Sequence, residues 1–365
     1  MLAYDAVADF PFSVEAVALE RRARDTSSGF ERVTTTIHLH GESDRGRGED
    51  VTYTAADHDA LYADPEAATP AGPGVETAAG VDFGSALTGE WTVAEFAARL
   101  DELDLFPVGE PEMAASHHYR RWGFESAALD LALRANDRDF ATALGTTADP
   151  VRFAASTRLG EPPTTDRVDT ISDRVPGIEF KLDPTSEWTD AVIEGSPADR
   201  VRVVDFKGHY EGTDVDQEPD PDLYERVIEA FPEAVIEDPA LTEATVPVLA
   251  DHHERIAWDA PITGVESVEA LPFEPSWLNV KPSRFGSVES LFETLQYAAE
   301  RGMSLYGGGQ FELGVGRTHV QTLAAVAYPD APNDVAPGAF NDPTVPDRLP
   351  ASPLAPRSGA LGFEF

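Results

Sequence analysis

The sequence contains no cysteine, which excludes disulfides, thiolate zinc sites and cysteine nucleophiles. No stretch approaches ~18 uninterrupted apolar residues, so no membrane-spanning helix is expected. The first residues, MLAYDAVADF, lack the basic flank and apolar run of a secretory signal, and a cytoplasmic location is the expectation. Basic residues are scarce too: 27 stand against 66 acidic ones, for a formal charge of −39. Nucleic acid needs basic partners for its phosphates and is excluded as a ligand on that ground. Lysine is almost missing. All but three of the basic residues are arginine, and the exceptions are Lys181, Lys207 and Lys281.

So large an acid excess repels itself in dilute buffer. At molar salt the Debye length falls to ~3 Å and the repulsion is screened. Acid excess and lysine shortage together suggest a protein adapted to a salt-rich cytoplasm. The charge is spread along the chain, as on a solvated surface, and not gathered in a tail.

What is present is enough for a large core. The chain has 365 residues, 42% of them hydrophobic, which suits two domains or one large barrel with a cap. The first ~60 residues resemble a β-meander, with FERVTTTIHLHGES and GRGEDVTYT alternating apolar and polar positions. His38 and His40 fall within this sheet. The stretch 17–31, VALERRARDTSSGFE, reads as a loop bearing Arg21, Arg22 and Arg24. A loop rich in Pro, Gly and Ala follows at 63–80, then helices at 92–105 and 119–145, with Gly145 as the stop signal.

From residue 151 the rhythm changes. Apolar runs recur as VRFAAST, GIEFKLD, VRVVDFKG, AVIEDP, RIAWDAPI, WLNVKPSR and MSLYGGGQ. Helical segments such as YERVIEAF and SVESLFETLQYAAERG lie between them. Near-continuous apolar strands alternating with helices indicate an α/β fold with a buried parallel sheet. Seven or eight repeats suggest a closed (β/α) barrel. The doubly wound alternative lacks its GxGxxG after the first strand. The last ~35 residues are Pro-rich and read as an ordered strap.

In such a barrel, chemistry sits at the C-terminal ends of the strands. The apolar runs end in Lys181 with Asp183, Asp205 with Lys207, Glu237 with Asp238, Asp259, and Lys281 with Arg284. All three lysines are therefore at strand ends. Where arginine has replaced lysine elsewhere, the survivors mark places where arginine cannot serve. A base is one such place, since lysine can give up its proton and arginine cannot. Three carboxylates converging on one mouth, Asp205, Glu237 and Asp259, suit a hard divalent cation such as Mg²⁺.

These residues resemble the enolase superfamily, in the branch of mandelate racemase, muconate-lactonising enzymes and acid-sugar dehydratases. VVDFKG, VIEDP and RIAWDAPI are similar to its three metal-ligand strands, NVKPSR to the strand of its catalytic lysine, and RRWGFESAALDLALRA to the helix closing its cap. The resemblance implies a TIM-type (β/α)7β barrel over residues 149–332, an N-terminal α+β capping domain over 1–148 and a C-terminal strap over 333–365 packing back on the cap. It implies Mg²⁺ on Asp205, Glu237 and Asp259, and Lys281 as the base removing the proton α to a carboxylate to give an enediolate held on the metal. The implied partner is a small hydroxy or sugar acid, and a homo-oligomer is expected.

Two positions depart from the family pattern. Where relatives carry KxK on the second barrel strand, this chain has Lys181 at the first position and Asp183 at the second, or, in a variant register, Lys181 as the second lysine itself. The Asn usual two residues after the first metal ligand is Lys207. With Lys281 as the one well-placed base, β-elimination of water is the expected outcome, and Lys181 or Lys207 would bind the substrate or protonate the leaving group; an ion pair with Asp183 or Glu237 is the alternative for Lys207. An epimerase or cycloisomerase using Lys181 opposite Lys281 is the alternative, and a metal-binding relative without catalysis is a third. Asp183, Arg284, Gln310 and Glu312 are candidate substrate contacts. YGGGQFELGVGR does not fit a phosphate loop. DHHER at 251–255 reads as a solvated helix, and His209 as a loop histidine.

Overall fold

A computed structural model describes residues 2–64, 77–78, 80–210 and 216–365. The Pro-, Gly- and Ala-rich loop at 63–80 lies outside the described residues except at its ends. The N-terminal region contains β1 (Pro11–Val14), β2 (Ala16–Asp25), β3 (Glu31–His40), β4 (Arg45–Asp50) and β5 (Gly89–Thr92). β2, β3 and β4 form an antiparallel sheet with β3 in the middle, and β1 pairs with β5. Val33, Ile37 and Leu39 of β3 are fully buried.

The arginine-rich stretch expected as a loop is mostly strand. Ala16–Asp25 pairs residue for residue with Glu31–His40. β2 is an edge strand, where charged side chains are tolerated because their long stems carry the heads to water. The single helix expected at 119–145 is two. It runs Ala115–Ala135, turns through Asp137 at φ 54°, and restarts as Phe140–Ala143 under an Asp139 cap. The NDRD sequence explains the break, since Asn and Asp tolerate the left-handed turn and favour caps. The first part of this helix crosses the sheet at backbone contact distance. A Cβ at Gly48 would come within 1.9 Å of the Gly123 carbonyl oxygen.

The seven apolar runs form β6 (Ala154–Thr157), β7 (Glu179–Leu182), β8 (Val201–Asp205), β9 (Val235–Glu237), β10 (Ile256–Trp258), β11 (Trp277–Val280) and β12 (Ser304–Gly307). They lie in chain order in one parallel sheet. The sheet curls and its two edges meet through Asn333 and Asp334, which bridge Phe153 and Gly308 in parallel. Ala154 N–H donates to the Asn333 carbonyl at 2.8 Å, and Asp334 N–H to that of Gly307 at 2.7 Å. This eighth stave carries no apolar run, so periodicity gives no sign of it.

Inside the barrel Val203, Val235, Ala257 and Tyr306 pack together. Outside, Phe180, Val204, Ile236, Trp258 and Leu278 face the returning helices. Leu354 bridges Val151, and Phe363 lies against Trp122, Phe140 and His319. Among the described residues no helix is long and apolar enough to cross a membrane.

Candidate active site

Because the sheet is parallel, every strand ends on the same rim. β7 brings Lys181 there, β8 Asp205, β9 Glu237, and the residues just after β10 and β11 are Asp259 and Lys281. The three carboxylates are 0% exposed. Buried acids of this kind must be paired, and each has found a cation. Lys181 Nζ lies 2.5 Å from Glu237 Oε1, 3.1 Å from Asp205 Oδ2 and 3.4 Å from Asp334 Oδ2. Lys207 Nζ donates to Asp205 and lies 3.7 Å from Asp183. Lys281 Nζ donates to Asp259 Oδ2 at 2.7 Å, and Arg284 reaches both the carbonyl and the carboxylate of Asp259.

Neutral groups complete the cluster. Tyr306 donates its hydroxyl to Glu237 Oε2 at 2.6 Å, Asn279 its amide to Oε1 at 3.3 Å, and Tyr210 its hydroxyl to Asp259 at 3.0 Å. Asp238 accepts the N–H groups of Asp259 and Ala260, both at 2.8 Å, and so fixes the turn after β10.

The backbone makes room for this packing. Lys207 and Asp238 have φ of 56° and 45°, left-handed turns that cost about 1–2 kcal/mol for a residue with a Cβ. Gly308 sits where a Cβ would meet Asn279 Oδ1 at 2.3 Å and Lys281 Cε at 2.8 Å. Only glycine lets β12 leave the barrel across those side chains.

The electrostatics follow the pairing. Burial alone would lower Lys181, but Asp205 and Glu237 outweigh it and hold the ammonium well above its ordinary range. Lys207 is raised in the same way by Asp183 and Asp205 against burial. Asp205 and Asp259 are lowered, because neighbouring cations overcome the cost of burial. Glu237 is pushed up, by burial first and then by Asp205, although Lys181 pulls it the other way.

Whether this set suits a divalent cation can be judged from its donors. Three buried carboxylates from consecutive strands are hard oxygen ligands, and Asp259 Oδ1 accepts no hydrogen bond, although Arg284 Nη1 lies 3.3 Å from it. The donor chemistry fits. In the arrangement described, however, no three Asp, Glu or His side chains among the described residues are gathered to hold a metal ion. Ammonium groups stand between the carboxylates.

The expected contacts separate into two groups. Asp183 and Arg284 belong to the rim cluster. Gln310 lies above it, accepting from Tyr53 O–H at 2.9 Å and donating towards Tyr119 at 3.4 Å. Both phenols lie within the field of Arg284. Arg32 ties this roof down by donating to the carbonyls of Val51, Thr52 and Gln310. Glu312 instead pairs with Arg317 at 2.9 Å and borders a separate cavity of about 390 Å³ that also touches Arg24 and Phe365. Arg21, Arg22 and Arg24 pair with Asp59, Glu20 and Asp342. His209 packs edge-on to Trp258, and His253 of DHHER stacks on Phe273.

Sequence reasoning missed Asn279, Tyr306, Tyr210, Asp334, Tyr53 and Tyr119. Asn279 was within reach, since it stands two residues before Lys281 and so shares its face of the strand.

Residues 147–342, more than half of the chain, match the C-terminal domain of a family described as a domain of unknown function (DUF8230), and residues 5–143 match its N-terminal domain. The chain belongs to the DUF8230 family. No curated protein sequence matches this DUF8230 protein. Solved structures do match in shape. A dipeptide epimerase from Enterococcus faecalis V583 is 14% identical, with a TM-score of 0.67 over 96% of this chain and 99% of its own. A muconate cycloisomerase from Pseudomonas fluorescens is 16% identical, at 0.61 over 96% and 94%. A member of the enolase superfamily from Listeria innocua Clip11262 is 17% identical, at 0.60 over 90% and 86%. At these identities the likeness establishes the fold. The expected architecture therefore holds: this DUF8230 protein has the α/β fold seen in those structures, with an N-terminal α+β region followed by a curled seven-stranded parallel sheet.

Proposed function

We propose that this protein is an enzyme that removes the proton α to the carboxylate of a small hydroxy or sugar acid, with Lys281 as base, and then expels the β-hydroxyl as water. The carrying observation is the asymmetry of the two lysines facing each other across the rim. Lys281 pairs with one acid, Asp259, and its side chain is 8% exposed, whereas Lys181 touches three carboxylates and is 2% exposed. One side of the rim therefore offers an end group that a substrate can reach, and the other a locked ion.

The α-proton passes to Lys281 Nζ, and its bonding pair moves into the carboxylate as an enediolate. That pair then re-forms a C–C double bond as the β C–O bond breaks. The hydroxyl leaves with a proton from Lys207, whose side chain is 13% exposed on the β8 side of the rim. When the α-carbon also carries a hydroxyl, the product of this elimination is an enol, which becomes a 2-keto acid. Arg284 orients the substrate carboxylate. A divalent cation held by Asp205, Glu237 and Asp259 would stabilise the charge that develops on the carboxylate oxygens.

A second reading, epimerisation, is favoured by Lys207 alone, the more exposed of the lysines across from Lys281. The test incubates the protein with Mg²⁺ and a panel of hydroxy and sugar acids in D₂O at high salt. A keto acid product, lowered ~10³-fold or more by Lys281→Ala, supports elimination. Deuterium at an inverted α-carbon supports epimerisation. No exchange with any acid sinks both.

A further inference from the structure

Lys181 is too deeply held to be a spare base, and its position raises a question about the cation centre itself. Its Nζ is 2.5 Å from Glu237 Oε1 and 3.1 Å from Asp205 Oδ2. A Mg²⁺ ion shared by those two carboxylates would need their oxygens at about 2.0–2.1 Å. Two cations cannot share that space, for steric reasons and because like charges so close repel strongly. Glu237 cannot swing aside to serve both, because Tyr306 and Asn279 hold its two oxygens from the barrel interior. The lysine is the part that can move, since its ammonium ends a flexible four-carbon stem.

A second anchor lies beside it. Asp334 Oδ2 is 3.4 Å from Lys181 Nζ. Asp334 belongs to the eighth stave, outside the three-carboxylate set, and its side chain is 17% exposed. Asp334 N–H is bonded to Gly307 O, so its backbone is fixed in the barrel wall.

We propose that Lys181 is a built-in counter-ion that competes with a divalent cation for Asp205 and Glu237, and that Asp334 is the seat to which its ammonium withdraws when that cation binds. The proposal rests on the reading of Asp205, Glu237 and Asp259 as the cation site, but not on Lys281 or on any reaction. It gives the lysine of the second barrel strand a role in tuning ion affinity, and it makes Asp334 part of the centre although it ligates nothing.

The experiment measures Mn²⁺ binding by electron paramagnetic resonance at one pH and one salt concentration, in wild type, Lys181→Met, Asp334→Asn and the double variant. Lys181→Met should bind Mn²⁺ ~10-fold more tightly than wild type, and Asp334→Asn several-fold more weakly. In the double variant the effect of Asp334→Asn should largely vanish, since there is no ammonium left to seat. If Lys181→Met fails to fold, Lys181→Gln takes its place, with thermal melting in chelator as the check on folding. Wild-type binding that Lys181→Met does not tighten overturns the proposal and leaves the cation site standing. An Asp334→Asn effect of equal size with and without Lys181 also overturns it. Absence of Mn²⁺ binding in every variant removes the cation site and this inference together, while α-proton exchange by Lys281 would still be open to its own test.

Discussion

Two sets of buried acids in this chain are held in different ways. Where the N-terminal sheet meets the barrel and the C-terminal residues, backbone groups hold them. Glu49 accepts the N–H groups of Leu313, Gly314 and Gly316, and Asp130 those of Arg47 and Phe363 beside an ion pair with Arg134 at 3.0 Å. On the rim, Asp205, Glu237 and Asp259 are held mainly by the far ends of Lys181, Lys207, Lys281, Arg284, Tyr210 and Tyr306. Backbone donors cannot leave without unfolding a segment, whereas the end of a lysine can move at the cost of a few torsions. Acids of the first kind serve the fold. Acids of the second kind can exchange partners, which a binding site requires.

Substituting one acid of each kind should break this symmetry most visibly. Glu49→Ala would leave three N–H groups at the start of the helix Val315–Ala327 without their acceptor, that of Gly316 buried and those of Leu313 and Gly314 half-buried. Each such group costs ~1–3 kcal/mol, so a loss of about 3 kcal/mol or more is expected in denaturant titrations at constant salt. Glu237→Gln should stay within about 1 kcal/mol of wild type, because it removes one of several acids crowded into a dry space and leaves Lys181 with Asp205 and Asp334. Equal losses in the two variants would show that the rim acids support the fold no less than the seam acids do.

The rim was the more legible of the two in the sequence. Each of its acids follows directly on an apolar run, and in a parallel barrel that alone places it at the shared mouth. The shortage of lysine then singled out the cations. The pairing of those cations was not legible, because it depends on side-chain reach across strands. Lys181 and Lys207 read as substrate-binding or acid groups, with an ion pair to Asp183 or Glu237 as the alternative for Lys207; the geometry puts Lys207 3.7 Å from Asp183 and ties both lysines to Asp205. Tyr53 and Tyr119 lie in segments whose approach to the rim is a tertiary event with no local signature. Asp334 was hidden for a different reason. Its stave is made of two bridging residues with no apolar pattern, inside a stretch whose prolines suggest a surface strap. The same limit applies to β2, where charges on an edge strand imitate a loop.

A smaller effect should sharpen the comparison, because acid ought to move the two regions in opposite directions. His319 is 0% exposed, stacks on Phe363 at 4.4 Å, and has no hydrogen-bond partner at either ring nitrogen among the described residues. Burial first, and then Arg47 and Arg134, lower its pKa to about 3, so the native ring stays neutral at pH 5. The unfolded ring takes up a proton near pH 6.5. A lowered native pKa means stability that is complete above the unfolded value and is lost as pH falls towards the native one. Between pH 7.5 and pH 5 that amounts to about 2 kcal/mol. Glu237 has the opposite sign. Its carboxyl is raised by burial and then by Asp205, so its contribution is present at low pH and is lost as pH rises through the raised native pKa. His319→Phe keeps the stacking on Phe363 and removes the titration. The stability difference between wild type and this variant, read from denaturation midpoints, should shift by about 2 kcal/mol against wild type on going from pH 7.5 to 5. A difference that does not change with pH would mean that the ring is protonated in place, and that the seam holds a charge its backbone donors do not account for.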